Sequence, residues 1–174
     1  IYKALTNSYN PPAVRVLRLQ QDDDGTFSTV LNFARDTLKL SSLQDDDKNG
    51  LAPLSLGALS KGVTVLEMTR AFSVYANKGT FTDSRSYTRV ESYSGKTVLQ
   101  KDVSKQSVYS EQTAYLMTYT LENVVAETYF GRAAKVYGVE TAGKTGTTSF
   151  YNDRWFIGYT PYYLAGIWWG YDYN

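Results

Sequence analysis

The segment Lys144-Thr145-Gly146-Thr147 holds the residues best suited to chemistry in this 174-residue chain. On an extended strand, Lys144 and Gly146 share one face, and Thr145 and Thr147 share the other. A glycine there lets a ligand come close to the backbone. An ammonium group beside two hydroxyls and an open backbone edge can hold a carboxylate and stabilise developing negative charge. A second constellation, Ser8-Tyr9-Asn10, offers a hydroxyl and an amide two residues apart. Each has a plain structural alternative: a glycine-rich strand with a solvated lysine, and a helix cap ahead of Pro11-Pro12. The chain has no His and no Cys. That excludes Ser-His-Asp, Cys-His and His-ligated zinc chemistry within it, as well as disulfides. What remains for nucleophilic catalysis is Ser or Thr activated by Lys, or a carboxylate.

These residues need elements to hold them. Pro11-Pro12 ahead of Ala13 to Leu17 reads as a helix started by proline. Asp22-Asp23-Asp24-Gly25 reads as a turn, Thr29 to Leu40 as a helix with Val30, Phe33, Ala34 and Leu38 on one face, and Ser41 to Leu56 as a loop. Thr64-Val65-Leu66-Glu67 is a capping box, in which the Thr hydroxyl accepts a backbone N–H and Glu67 reaches back. Its helix runs past Met68, Phe72 and Tyr75 to a stop at Gly79. Tyr87 to Tyr93 and Thr97 to Gln100 alternate around Ser94-Gly95 as a hairpin. Ser110 caps a helix to about Ala126. Three strands then follow: Val139 to Thr148, Arg154 to Thr160 and Leu164 to Tyr171. Helices first and an antiparallel run last predict an α+β fold, a sheet with helices packed on it, in a single domain or part of one.

Several segments together resemble one family. Ser8-Tyr9-Asn10-Pro11-Pro12-Ala13-Val14 resembles the S-x-N-x-P-A-V segment of bifunctional (class A) penicillin-binding proteins. Gly62-Val63-Thr64-Val65-Leu66-Glu67-Met68 resembles their G-V-T-P-L-E-M helix start, with Val65 in place of Pro. Ala76-Asn77-Lys78-Gly79-Thr80 is similar to the A-N-G-G-T end of that helix. Thr113-Ala114-Tyr115-Leu116-Met117-Thr118, Asp153 to Pro161 and Trp169-Gly170-Tyr171-Asp172 also look like this family. The order is collinear over nearly the whole chain, and K-T-G follows S-x-N as in the three-motif set of these enzymes.

The resemblance implies a penicillin-binding transpeptidase fold and a serine acyl-transferase. Such an enzyme cross-links peptidoglycan stem peptides ending in D-Ala-D-Ala and is acylated by β-lactams. It implies that Ser8 relays a proton, that Asn10 bonds the acyl-side amide, and that Lys144 holds Ser8 and attracts the substrate carboxylate. Thr145 and Thr147 would bond that carboxylate beside Gly146, and the Thr147 backbone N–H would form half of an oxyanion hole. Tyr9 and Trp155 are candidates for groove walls. The family's nucleophile lies in S-x-x-K, before S-x-N. No serine here has a lysine three positions later. The chain is therefore expected to be a partial domain over 1–174, without the S-x-x-K segment or the helix that follows the last strand, and inactive alone. Its partner would be the remainder of the domain, on the same or a separate chain. A glycosyltransferase domain and a membrane anchor would lie upstream, with this domain outside the cytoplasmic membrane.

Other readings are weighed against this one. A non-catalytic β-lactam or peptide receptor would have an altered S-x-x-K in the parent protein. A β-lactamase would need a deacylating Glu, and none stands in a recognisable motif. Eighteen basic and seventeen acidic residues leave +1, which gives no electrostatic case for nucleic acid. Asp45-x-Asp47-x-Asn49-Gly50 fits half of a calcium loop, but position twelve is Leu56 rather than Glu. An acidic turn is the expected reading, with no metal and no cofactor.

Overall fold

A computed structural model describes residues 1–171; Asp172, at the end of the last family-like segment, lies outside them. Helices α1 (Tyr2–Thr6) and α2 (Asn10–Arg18) open the chain, then α3 (Ser28–Asn32), α4 (Leu51–Leu56) and α5 (Val65–Ala76). Short strands β1 (Thr80–Thr82), β2 (Arg89–Glu91), β3 (Thr97–Gln100) and β4 (Lys105–Ser107) follow, paired antiparallel as β2–β3 and β1–β4. Helices α6 (Glu111–Glu127) and α7 (Tyr129–Arg132) lead into an antiparallel sheet of β5 (Ala142–Thr147), β6 (Asp153–Tyr159) and β7 (Leu164–Gly170), in that order. The α+β expectation holds.

Helix α5 starts as its capping box requires. The Thr64 hydroxyl accepts from Glu67 N, and the Glu67 carboxylate accepts from Thr64 N at 3.0 Å. The helix ends at Ala76, three residues short of the expected stop, and a turn closes it at Gly79, whose N–H donates to the Val74 carbonyl at 2.7 Å. Gly79 has a φ of 88°, which suits glycine, and a Cβ there would stand 2.1 Å from the Tyr109 carbonyl oxygen. Ser110 caps α6 by accepting from Thr113 N at 3.1 Å. Two apolar clusters fill the interior. One gathers Leu31, Leu40, Leu43 and Ala71 under the 38–63 segment. The other joins Leu121 and Val124 of α6 to Ala142 and Tyr159 of the sheet, with Leu5 of α1 and Phe72 of α5 packed against it. The second cluster seats the sheet on the helices and so fixes the position of β5.

Four local expectations are corrected. The helix over Thr29–Leu40 is α3 followed by a π-helical turn at Phe33–Thr37, ending at a left-handed Lys39. Leu31 and Leu40, nine residues apart, would lie on opposite sides of an uninterrupted α-helix; the wide turn and the reversal bring both into one cluster. The 41–56 loop contains a 3₁₀ turn at Asp45–Asn49 and then α4. Asp47 organises it from a fully buried position, accepting from Gln44 N, Ser60 N and the Ser60 hydroxyl, each at 2.8 Å. These bonds hold its carboxyl below the usual range against the opposing cost of burial. Asp45 pairs with Arg35 at 2.8 Å, so two of the three acidic side chains serve the fold. The strand expected from Val139 begins at Ala142, because a turn from Val136 N–H to the Thr141 hydroxyl occupies the approach. Ser8 does not cap α2; Tyr9 stands at the cap position and supplies no side-chain bond.

Candidate active site

Ser8 lies in the break between α1 and α2, where the backbone turns through a left-handed conformation with φ of 56°. That conformation costs a non-glycine residue on the order of 1 kcal/mol, and the flanking helices hold it in place. The turn presents the hydroxyl to β5. Lys144 Nζ donates to Ser8 Oγ at 2.9 Å, across 136 positions of sequence. The same ammonium donates to the Thr145 carbonyl at 3.0 Å. Burial pushes the Lys144 ammonium below the ordinary lysine range, and no carboxylate among the described residues compensates it.

Among the described residues, strand β5 is an edge of its sheet, paired only with β6. Lys144 is opposite Ile157, which is opposite Gly166 on β7, and Gly166 faces Thr69 of α5. Lys144 therefore lies on the helix-covered face, where α1 and Ser8 are. Thr145 and Thr147 fall on the other face by alternation. Thr148 N–H bonds to the Asp153 carbonyl at 3.1 Å. Antiparallel alternation then directs the N–H and C=O of Thr147 and of Thr145 toward the open edge. The contact of the Thr145 carbonyl with Lys144 agrees with that direction. A ligand lying along this edge is within reach of an ammonium from one face and of hydroxyls from the other.

The structure brings Ser8, Lys144, Thr145, Gly146 and Thr147 to one edge. Asn10 is exposed at the first position of α2 and makes no side-chain hydrogen bond among the described residues. Trp155 stands opposite Gly146, with its Cβ 3.3 Å from where a Gly146 Cβ would be, and so borders the Lys144 side. Tyr9 is largely exposed beside Ser8. Sequence reasoning gave no role to Asp153 beyond a motif match. Its carboxylate takes the Thr148 hydroxyl at 3.1 Å and Trp168 Nε1 at 2.9 Å, and its N–H donates to Thr148 Oγ1 at 2.9 Å. It clamps the turn that follows Thr147. An Asp starting a strand just after a Ser/Thr-rich turn was the available signal.

Among the described residues no helix is long and apolar enough to cross a membrane, and no group of three or more acidic side chains is placed to hold a metal ion. A family model described as the penicillin binding protein transpeptidase domain matches residues 3–167. Penicillin-binding protein 1A of Clostridium botulinum strain Hall is 38% identical over 173 residues, 99% of this chain and 20% of that protein. Penicillin-binding protein 4 of Bacillus subtilis strain 168 is 34% identical over 170 residues, 97% of this chain and 26% of that protein. The chain thus spans about a fifth to a quarter of these relatives' length. Among solved structures, penicillin-binding protein A of M. tuberculosis, in an imipenem acyl-enzyme complex, superposes with a TM-score of 0.77 at 16% identity over 97% of this chain and 41% of that one. The D,D-transpeptidase domain of a peptidoglycan glycosyltransferase from Eggerthella lenta gives 0.75 at 20% identity over 96% and 47%. Those two share the fold, while the family match over most of the chain and the identities above 30% carry descent: this chain belongs to the penicillin-binding protein transpeptidase family.

Proposed function

We propose that this chain is the proton-relay and carboxylate-binding portion of a D-alanyl-D-alanine transpeptidase that cross-links peptidoglycan and is acylated by β-lactams. The observation that carries the reading is the 2.9 Å contact from Lys144 Nζ to Ser8 Oγ at the open edge of β5. Relatives seen as imipenem and penicillin V complexes support the β-lactam part.

The nucleophilic serine and its activating lysine come from sequence outside this chain, since no S-x-x-K occurs here. The stem peptide lies along β5 with its terminal carboxylate at Lys144 and at the hydroxyls of Thr145 and Thr147, and Gly146 leaves the backbone open to it. The serine oxygen attacks the penultimate D-Ala carbonyl while its proton passes to the activating lysine, which hands it on to Ser8, and negative charge develops on the carbonyl oxygen. The Thr147 N–H donates to that oxygen, a contribution typically worth about 2.7–4 kcal/mol of barrier. The C–N bond then breaks. Ser8 passes a proton to the leaving amine of terminal D-Ala, leaving an ester on the nucleophile. An amine from a neighbouring stem attacks the ester, gives up a proton along the same relay and releases the serine. Asn10 orients the acyl-side amide and the incoming lysine. Lys144 keeps the Ser8 oxygen oriented by donating to it. The remainder of the transpeptidase domain is the required partner, on the same or another chain, and the site faces the outside of the cytoplasmic membrane.

Fluorescent penicillin tests the reading. The complete protein should form a stoichiometric covalent adduct. Lys144→Ala and Ser8→Ala should each slow its formation roughly a hundredfold or more, and the 174-residue chain alone should form none. An adduct on the isolated chain would overturn the assignment of the nucleophile. A complete protein that binds without acylation would favour a receptor instead.

A further inference from the structure

The turn between β5 and β6 is strained. Phe150 and Tyr151 are consecutive left-handed residues, with φ of 59° and 61°. That conformation is costly for a residue other than glycine and persists only where the surroundings enforce it. Both rings are largely exposed, so burial of the side chains does not enforce it.

The last rung of the β5–β6 ladder, next to the paired Thr147 and Arg154, is built differently from the others. A regular antiparallel pair at this position exchanges two backbone bonds. Thr148 N–H does donate to the Asp153 carbonyl, at 3.1 Å, but the Thr148 carbonyl is diverted to Tyr151 N–H, also at 3.1 Å. Asp153 N–H donates to the Thr148 hydroxyl instead, at 2.9 Å, and that hydroxyl donates to Asp153 Oδ2 at 3.1 Å. Side chains therefore complete the rung.

The other carboxylate oxygen ties the turn to β7. Asp153 Oδ1 accepts from Trp168 Nε1 at 2.9 Å. Asp153 is opposite Gly170, and the indole reaches it by crossing the glycine, where a Cβ would stand 2.7 Å from Trp168 Cζ2. Trp168 is two residues from Gly166 and so shares the helix-covered face of β7. One carboxylate thus joins the strained turn to the strand that rests on α5.

This rung borders Thr147. The Thr148 N–H held by Asp153 lies in the same planar peptide group as the Thr147 carbonyl. The rung therefore fixes the rotation of that plane, and with it the backbone of Thr147 just past its N–H. We propose that Asp153 is a positioning residue for acylation: tied to Trp168, it completes the rung, holds the left-handed turn and keeps the Thr147 N–H aimed at the oxygen on which charge develops. This rests on the transpeptidase reading above. A donor aimed in advance at that oxygen favours the transition state over the bound ligand. The loss on releasing it therefore falls on the rate at saturation rather than on affinity.

The test follows acylation of the complete protein by fluorescent penicillin over a range of concentrations, which separates the saturating rate from the half-saturating concentration. Asp153→Ala should lower the saturating rate roughly tenfold to a hundredfold and change the half-saturating concentration by less than about threefold. Asp153→Asn keeps an oxygen for Trp168 Nε1 and gains an amide that donates to the Thr148 hydroxyl, and it should stay within about threefold of the unaltered rate. Trp168→Phe removes one bond and leaves the atoms of the turn in place; it should lower the saturating rate by roughly threefold or more. An unaltered saturating rate in Asp153→Ala, or a loss seen only in the half-saturating concentration, overturns the proposal. Asp153→Asn as slow as Asp153→Ala overturns it too, because charge and not the two bonds would then matter. An unaltered saturating rate in Trp168→Phe also overturns it, and that comparison does not need Asp153→Ala to fold. A complete protein that forms no adduct before any substitution overturns the transpeptidase reading and this proposal with it, whereas normal acylation that ignores Asp153 overturns this proposal alone.

Discussion

Gly166 of β7 faces Thr69 of α5 so closely that a Cβ on the glycine would fall 1.9 Å from Thr69 Oγ1 and 3.1 Å from Thr69 Cβ. The Thr69 hydroxyl is committed to the Val65 carbonyl at 2.7 Å. The helix and the sheet meet here through an absent side chain, and this seat sets the height of the sheet, and hence of Lys144, above the helices. Gly166→Ala should destabilise the domain by about 1–3 kcal/mol through overpacking. Adding Thr69→Ala should restore most of it by removing the nearest atom. Thermal unfolding of the domain in the complete protein measures both, and an unchanged transition for Gly166→Ala would contradict the seat.

Glu67 is 6% exposed yet charged. Burial opposes its ionisation, but hydrogen bonds from Ser41, Ser42 and Thr64 prevail and hold its carboxyl at about 2. A depressed carboxyl contributes stability that is fully present above the unfolded-state value, 4.5, and is lost as pH falls toward about 2. The contribution is on the order of 3 kcal/mol. Glu67→Gln should flatten the acid limb of stability over that window and lower stability at neutral pH. An acid limb identical to that of the unaltered protein would refute this.

Lys144 should lose its proton at a pH below the ordinary 10.5. The folded state then binds fewer protons than the unfolded chain between the two values, so this group makes the fold more stable as pH rises through that window. Its ammonium role is lost over the same window. Side-chain NMR titration of Lys144 in the complete protein should place the midpoint below 10.5. Acylation should decline at correspondingly lower pH, and that decline should move upward in Lys144→Arg, whose guanidinium stays charged.

Ser8 separates stability from reactivity. Ser8→Gly removes the hydroxyl but fits φ of 56° better, while Ser8→Ala removes the hydroxyl and keeps the strain. The glycine variant should be as stable as the alanine variant or more so, by up to about 1 kcal/mol. Both should acylate slowly. A glycine variant clearly less stable than alanine would show that the turn is not strained at Ser8.

The legible parts of the fold were those governed by local rules. The Thr64–Glu67 box, the Ser110 cap and the alternation of β5 to β7 each depend on residues close in sequence. The 33–40 stretch was misread because a π turn saves the placement of Leu31 and Leu40 in one cluster, a tertiary gain that no helical period reports. The 41–56 segment looked like a polar loop because Asp47 appears acidic and exposed until Ser60 closes over it. The pairing of β1 with β4 was invisible for a related reason, since each is three residues long and meets its partner around an intervening hairpin. At the site, residue types and order pointed to Ser8 and Lys144, but only the fold supplies the left-handed turn that brings the hydroxyl to the ammonium. The clamp at Asp153 had a local signal in the Ser/Thr-rich turn before it, but its bond to Trp168, fifteen residues away, had none.

The open edge of β5 also has a colloidal side. Main-chain groups left free for a ligand are equally free to pair with a strand of another copy, the usual route from an exposed sheet edge to aggregation. Lys144 stands in the middle of that edge, and a charged side chain there discourages such pairing, while Gly143 and Gly146 weaken the strand as a template. One ammonium thus serves solubility as well as reaction. Variants that replace Lys144 with an apolar residue should scatter more light at a given concentration than Lys144→Arg does.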